Sequence, residues 1–554
     1  MIIDIIGLGH TKAKCDYIKK HEQCYNWYIK SSGDEKYLAC FWGIKNIKEL
    51  SNYKEIRKIY STDSERFFCI ADNKLLEITK FINVIERGEL ETDTGDVIIK
   101  DNGYDSGIGR GLIIVDSKCG YIYNLVLNKL YKIEDENIKK YKDIENIMGY
   151  YVATDNVTNR IYFSNLYNGY YWNDILLTTN INKNIQIGQS QYTITIDTDI
   201  QQMQETAILL QYDSNNWISG KTINYDATTG ILTFNTDNYC GEGEYTNWTV
   251  YIYTNENLKF IDIDALNSKI INFINYNNEL WIFGNNRIVI YQPSGSDYAS
   301  FVRINSAIYD IGLFAKDSII KANNRIMFLG KSNNKVAFFI NNGYQLIELE
   351  CSYLENFEPQ NLDDCKAYYI NLDQTDFCIF NFSKINKTLL YNLHNNTWTL
   401  LGIWNSNKAD FEKLWIKDIA CFNNYIYALK YNSNNLYAFD KDYKLYDNDK
   451  IVRMKDTYYF SFENKRIFWN ELELELKTGD KNLDSNEVIM LSFSDNYGNT
   501  FSNEIFKSIP KRGEYKKRIK FNRLGSSRGR IFRIKYMGLC NLQIIKGFLD
   551  YYVS

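Results

Sequence analysis

At 554 residues and a formal charge of −4, the chain can hold three or four domains and bury a large core. No stretch approaches eighteen uninterrupted apolar residues, so no helical membrane span is expected. Three histidines and eleven scattered cysteines, with no Cys-x-x-Cys, leave no workable metal spacing, and neither metal nor cofactor is expected.

The composition favours strands. There are 46 Tyr and 30 Phe but only three prolines, Pro293, Pro359 and Pro510. Tyr, Ile, Phe and Thr suit pleated, half-buried surfaces, and Asn suits turns that need positive φ. The class read from this is all-β. The odd cysteine count, without clustering, points to buried reduced thiols and assembly in a cytosol. The start, Met1-Ile2-Ile3-Asp4-Ile5-Ile6-Gly7, has no basic region before its apolar run and does not read as a secretory signal.

Residues 1–45 read as an extended N-terminal arm, with short aromatic runs at 16–18, 24–28 and 41–44. From about 46 to 175, hydrophobic runs such as 66–70, 112–115 and 160–163 recur between turn residues, each the length of a short strand. Gly107-Ile108-Gly109-Arg110-Gly111 looks superficially like a phosphate loop. No helical pattern follows it, so no helix N-terminus is there to hold an anion, and it reads as a loop.

Residues 176–256 change character. Alternation at 192–196 and 223–234, with the polar turn Asp226-Ala227-Thr228-Thr229-Gly230, predicts hairpins of a small inserted β-sandwich. Loop tips tolerate such insertions, so the module is expected to be removable. From 257 to 448 the strands come in groups of three or four at roughly fifty-residue spacing, broken at Asn pairs such as Asn277-Asn278 and Asn323-Asn324. That spacing predicts the blades of a β-propeller, six or seven in all with those of 46–175. Residues 449–554 form a further β domain. Its run Trp469-Asn470-Glu471-Leu472-Glu473-Leu474-Glu475-Leu476 puts Leu on one face and Glu on the other.

The last seventy residues carry the most specific pattern. A polar turn, Ser494-Asp495-Asn496-Tyr497-Gly498-Asn499-Thr500-Phe501, precedes a window from Lys507 to Lys535 with twelve Lys or Arg and one acid, Glu514. Everything outside that window therefore carries about −15. The turn and the following Arg523-Leu524-Gly525-Ser526-Ser527-Arg528-Gly529-Arg530-Ile531-Phe532 resemble the C-terminal signature of the packaged-DNA stabilisation proteins, the tail hub or nozzle subunits of short-tailed phages. Asp16-Tyr17-Ile18, Cys24-Tyr25-Asn26-Trp27-Tyr28 and Phe41-Trp42-Gly43-Ile44 are similar to the same family's opening, an Asn-x-Tyr segment before Pro-Gly-Ile, with the Pro missing. The resemblance implies a structural virion protein, assembled in the bacterial cytoplasm. Several copies, six by resemblance, would form a ring below the portal and adaptor, extend the DNA channel, retain packaged double-stranded DNA and take part in ejection.

The candidate contact residues are Lys511, Arg512, Lys516, Lys517, Arg518, Lys520, Arg523, Arg528, Arg530 and Arg533. A solvated face is the first reading of such a charge run and docking on acidic neighbouring subunits the second; phosphate contact ranks third, because a channel that must release DNA gains little by gripping it. Ser494, Asn496, Gly498, Thr500 and Phe501 are assigned a bracing role.

The same turn fits the box of sialidase-type propellers, with Asn496 replacing Asp. One box, no clustered arginines and no Tyr–Glu pair do not make a sialidase. Asp363 and Asp364, adjacent on a chain read as strand, point to opposite faces. No triad can be assigned, and the chain reads as a non-enzyme. A glycan-binding propeller that recognises the host surface is the alternative function, and a sialidase-like hydrolase the third.

Overall fold

The computed structural model describes residues 2–4, 23–32, 35–62, 66–103, 109–133, 136–196, 203, 206–294, 301–333, 335–355, 357–477, 487–510, 514 and 518–554. Strands dominate. Four short 3-10 turns are the only helical segments among the described residues. The chain divides into two compact units, 51–313 and 1–50 with 314–554.

The unit 51–313 contains four antiparallel four-stranded sheets of propeller-blade form. The first joins Ile56–Ser61, Phe67–Ala71, Lys74–Ile78 and Val84–Glu89. The second joins Ile98–Asp101, Gly111–Val115, Gly120–Asn124 and Lys129–Ile133. The third takes Asp143–Ile147, Tyr150–Thr154 and Arg160–Phe163, and its fourth strand is Phe260–Asp262, with Ile161 opposite Ile261. The fourth joins Ile270–Tyr276, Glu279–Gly284, Ile288–Pro293 and Phe301–Tyr309. Strands such as Phe67–Ala71 and Gly111–Val115 are buried along their whole length. A sheet with two apolar faces needs a neighbouring sheet on each side, which is the physical basis of the repeat. Adjacent sheets are also tied by amides. Asn146 donates to the Asn102 carbonyl at 2.6 Å and Asn275 to the Asn146 carbonyl at 2.5 Å.

Between the third and fourth strands of the third sheet lies the segment 173–258. It forms a six-stranded sheet in the order Asn173–Ile181, Trp248–Leu258, Ala207–Gln211, Trp217–Asp226, Ile231–Cys240, Gln191–Thr195. Ile194, Ile208, Ile218, Leu232, Phe234, Trp248 and Val250 fill a core of its own. A second set, Leu209, Trp217, Cys240 and Tyr253, packs instead with Tyr131 of the second sheet and with Tyr141 and Tyr170 of the connections around the third. The segment is therefore part module and part lid on the second and third sheets.

In the other unit, Ile320–Lys321, Ile326–Ser332, Lys335–Asn342 and Gln345–Leu349 form one sheet and Lys366–Leu372 through Thr397–Leu401 the next. A third, Ile416–Phe422, Tyr425–Lys430 and Asn435–Asp440, is completed by Gly43–Glu49 from the start of the chain. The asparagine turns behave as the sequence suggests: Asn277, Asn278, Asn323, Asn423 and Asn424 all have positive φ.

Residues read from sequence as an arm are built into this unit. Trp27–Ser32 and Glu35–Cys40 form a hairpin whose second strand pairs with Gln543–Val553. Cys24–Tyr25 lies between Thr397–Leu401 and Arg453–Asp456 and so merges a blade sheet with a C-terminal sheet. Residues 5–22, which include Cys15 and the run 16–18, lie outside the described residues, as does the Gly107-Ile108 part of the glycine loop. The ten described cysteines are all free thiols, seven of them buried.

Candidate interaction surface

The C-terminal domain has two sheets over one core. Ile467–Lys477 sits centrally in one, between Gln543–Val553 and Arg518–Asn522. Gly529–Tyr536 sits centrally in the other, between Arg453–Asp456 and Val488–Ser494. Leu472, Leu474 and Leu476 face the core with Ile519, Phe521, Phe532 and Ile534, as the Leu/Glu alternation requires.

The turn after Val488–Ser494 is held by its own side chains. Ser494 Oγ donates to Asn496 Oδ1 at 2.8 Å and accepts from the Gly498 amide at 2.9 Å. Asn496 Nδ2 donates to Thr500 Oγ1 at 2.8 Å, and its Oδ1 accepts the Thr500 amide at 2.9 Å. Asn496 thus reproduces the brace of the box without a charge, which leaves Asp495 as the carboxylate of the turn. Tyr497 and Gly498 take φ of 60° and 84°, and Tyr497 stacks on Tyr459 at 4.3 Å.

Asp495 receives Arg530, with Nε–Oδ1 at 2.6 Å and a second bond at 2.8 Å. The Arg530 side chain is only 2% exposed; its guanidinium lies 3.9 Å over Phe493 and donates to the Leu524 carbonyl. Arg533 makes a matching fork to Asp456, both bonds at 2.7 Å, and covers the Phe501 ring at 3.6 Å. Phe501, the last residue of the braced turn, provides that platform. Gly529 is dictated by close approach, since a Cβ there would sit 2.2 Å from the Tyr459 ring.

These contacts sort the sequence candidates. Arg530 and Arg533 are internal clamps rather than members of an exposed basic face. No local pattern marks this, because the partners Asp495 and Asp456 are 35 and 77 residues distant. Arg518 and Lys520 are exposed but face the Glu side of Ile467–Lys477: Arg518 reaches Glu473 at 3.0 Å, and Lys520 reaches Glu471 at 2.8 Å and Glu473 at 2.9 Å. Lys520 in turn holds the Glu473 carboxyl below the ordinary carboxylate range. Arg523 and Arg528 are exposed and make no ion pair among the described residues. Lys511, Arg512, Lys516 and Lys517 lie outside the described residues. Of the eight described cations of the window, five are ion-paired within their own domain.

A residue that the sequence reading left without a role is Asn26. Fully buried, with φ of 58°, it uses every polar group it has. Nδ2 donates to the carbonyls of Gly402 and Val452, both at 2.8 Å, while Oδ1 accepts from the Gly402 amide and the Tyr446 hydroxyl, both at 3.0 Å. Its own amide and carbonyl bond to Leu400 and Phe41. Asn26 opens the Asn-x-Tyr echo, which was the available signal.

A family model described as "Bacteriophage P22 Gp10, beta-sandwich" matches residues 453–548, which contain the braced turn and both arginine clamps. A second, "Bacteriophage P22 Gp10, beta-propeller", matches residues 256–444, where the turn-separated sheets lie. The chain belongs to the P22 Gp10 family. Its fold class follows: an all-β chain with a propeller domain and a C-terminal β-sandwich. As a Gp10 relative it is a phage structural tail protein, which agrees with the expectation of a non-enzyme. Among solved structures, Kluyveromyces lactis Hsv2 is 11% identical over 63% of this chain and 97% of its own, with a TM-score of 0.25. Kuenenia stuttgartiensis hydrazine synthase is 9% identical over 70% and 95%, at 0.27. Scores this low carry no argument. A comparison with curated proteins finds no significant match. No helix among the described residues is long and apolar enough to cross a membrane, and no cluster of three metal-ligating side chains occurs among them.

Proposed function

We propose that this Gp10-family chain is the hub or nozzle subunit of a short-tailed phage. A ring of copies, six by family resemblance, would sit below the portal and adaptor, continue the DNA channel and retain the packaged genome until ejection. The observation that carries this reading is the pair of family matches, propeller then sandwich, in the order of the chain. The domain plan proposed with it is a propeller from 46–175 and 257–448, an insert at 176–256 and a C-terminal domain at 449–554. Assembly would take place in the host cytoplasm.

The role of the C-terminal cations is mechanical. Arg530 and Arg533 stiffen the domain through Asp495 and Asp456. Arg523 and Arg528, with Lys511, Arg512, Lys516 and Lys517, supply the charge for neighbouring tail subunits. Individually such rim contacts are worth about 0–1 kcal/mol, but they add across symmetry-related copies.

Electron microscopy of the purified protein and of the virion tail tests the ring: a monomer with no place in the tail would overturn the reading. Replacing Lys516, Arg523 and Arg528 with Ser should leave the fold intact and weaken ring formation or tail attachment, with the difference from wild type largest at low salt and shrinking as salt screens the contacts. Sedimentation across a salt series, beside a duplex-DNA titration, reads both roles. Unchanged assembly with lost DNA binding would make the segment a nucleic-acid contact instead.

A further inference from the structure

The unit 51–313 has a polar cleft of about 790 Å³ where the turn between two strands of the third sheet meets the connection into the fourth. It is lined by Val157, Thr158, Asn159, Arg160 on one side and Asp264, Asn267, Ser268, Lys269 on the other. Both walls are firmly built. Asp155 accepts the amides of Val157 and Thr158, each at 2.9 Å, and fixes the first turn. The second wall is a 3-10 turn, Asp264–Leu266, ended by Asn267 in the left-handed conformation. The walls are joined backbone to backbone by Ile263 to Asn159 and Ile270 to Thr158.

The chemistry of the lining narrows the ligand. Arg160 is held by Asp262 at 3.0 Å and by the Phe260 ring at 4.1 Å, so its guanidinium is oriented before anything binds. Lys269 is exposed and makes no ion pair among the described residues. Asp264 is also exposed, and among the described residues the one side-chain bond its carboxylate accepts is a long one, 3.3 Å, from Asn159. A phosphate or sulfate would meet the Asp264 carboxylate, and a cation would meet Arg160 and Lys269. A neutral polyol satisfies both: each hydroxyl donates to a carboxylate while accepting from a guanidinium, ammonium or amide. Val157 stands at the rim, 77% exposed, where it can cover the C–H face of a pyranose ring. A volume of this size accommodates one or two sugar rings.

We infer that this cleft is a saccharide-binding site on the propeller. Arg160 and Lys269 donate to ring hydroxyls, Asp264 accepts from them, and Val157 packs against the ring. The site is separate from the C-terminal domain and does not depend on the ring proposed above, since all its parts lie within 157–269.

Saturation-transfer NMR on the full chain tests it, with lactose, maltose and chitobiose as probes and inorganic phosphate as a competitor. At least one disaccharide should show transfer from the protein that phosphate does not displace. Asp264→Ala and Lys269→Ser, both at exposed positions, should each weaken that binding about tenfold, with the melting temperature unchanged. No transfer to any of the three probes, displacement by phosphate, or wild-type binding by both variants would overturn the assignment. If one variant is destabilised, Val157→Ser gives a second reading on the rim alone.

Discussion

The inserted segment 173–258 and the C-terminal domain are both small β structures attached to propeller sheets, yet they are stabilised in different ways. The insert keeps most of its apolar side chains in one core of its own, built by residues near in sequence. The C-terminal domain shares a ten-stranded sheet with the blade 366–401, and its joining strand, Cys24–Tyr25, comes from the far end of the chain. Two of its arginines turn inward, in the forks Arg530–Asp495 and Arg533–Asp456, whereas the outer face of the insert carries neutral rungs such as Thr193–Thr233 and Gln191–Asn235. The lesson is that a local core gives a unit that melts by itself, while long-range pairing and buried ions give one that melts with its neighbours.

The largest effect that would test this contrast is at Asn26. Asn26→Ala strands two carbonyls, an amide and a hydroxyl in the core, a loss of about 4–5 kcal/mol. In urea unfolding, the C-terminal domain and the blade 366–401 should lose stability together. Separate transitions for them would refute the shared-sheet argument. Arg533→Ala comes next: it leaves Asp456, whose side chain is 3% exposed, without its partner, at about 3–4 kcal/mol. The double replacement of Arg533 and Asp456 by Leu should recover most of that loss, because no lone charge remains buried.

Phe234→Ala, in the core of the insert, should cost about 3 kcal/mol. Hydrogen exchange should show lost protection confined to 173–258, in contrast to Asn26→Ala. Deleting 176–256 with a Gly/Ser linker should leave the remaining sheets folded but with a lower melting temperature, since Tyr131, Tyr141 and Tyr170 lose Trp217 and Tyr253 as cover. An unchanged melting temperature would mean that the lid contributes nothing.

The smallest effect is one of pH. Lys520, the first cause, depresses the Glu473 carboxyl below its ordinary value of 4.5. A carboxyl depressed on folding contributes stability that is complete above the unfolded value and is lost as pH falls through the folded one. Between pH 6 and pH 3, Lys520→Ser should therefore flatten the acid limb of the stability curve slightly. Equal acid limbs in the two proteins would show that the pair is screened away.

The strands and their turns were legible in the sequence because the signals are local. Asn423-Asn424 between 416–422 and 425–430 marks a turn by its own conformational preference. The braced turn 494–501 was legible for the same reason. The burial of Arg530 was not, because its carboxylate partner, Asp495, lies 35 residues earlier and no local pattern pairs the two. Nor could periodicity show that Gly43–Glu49 completes the sheet of Asn435–Asp440, or that Phe260–Asp262 completes a sheet begun before the insert. Pairings of that range depend on topology, which no window of neighbouring residues encodes.

The position of Asn26 has a consequence for biosynthesis. Its bond to Tyr446 spans 420 residues of chain. At roughly 5–20 residues per second, the ribosome needs about 20–80 seconds to deliver the partner after Asn26 has emerged. Throughout that interval the hairpin of Trp27–Ser32 and Glu35–Cys40 lacks Gln543–Val553, the strand its second strand pairs with, and its open edge is free to join the wrong sheet or another nascent chain. The N-terminal hairpin thus makes completion of the last domain the commitment step of folding, and a truncated product of a stalled ribosome would retain a sticky end by which quality control can recognise it.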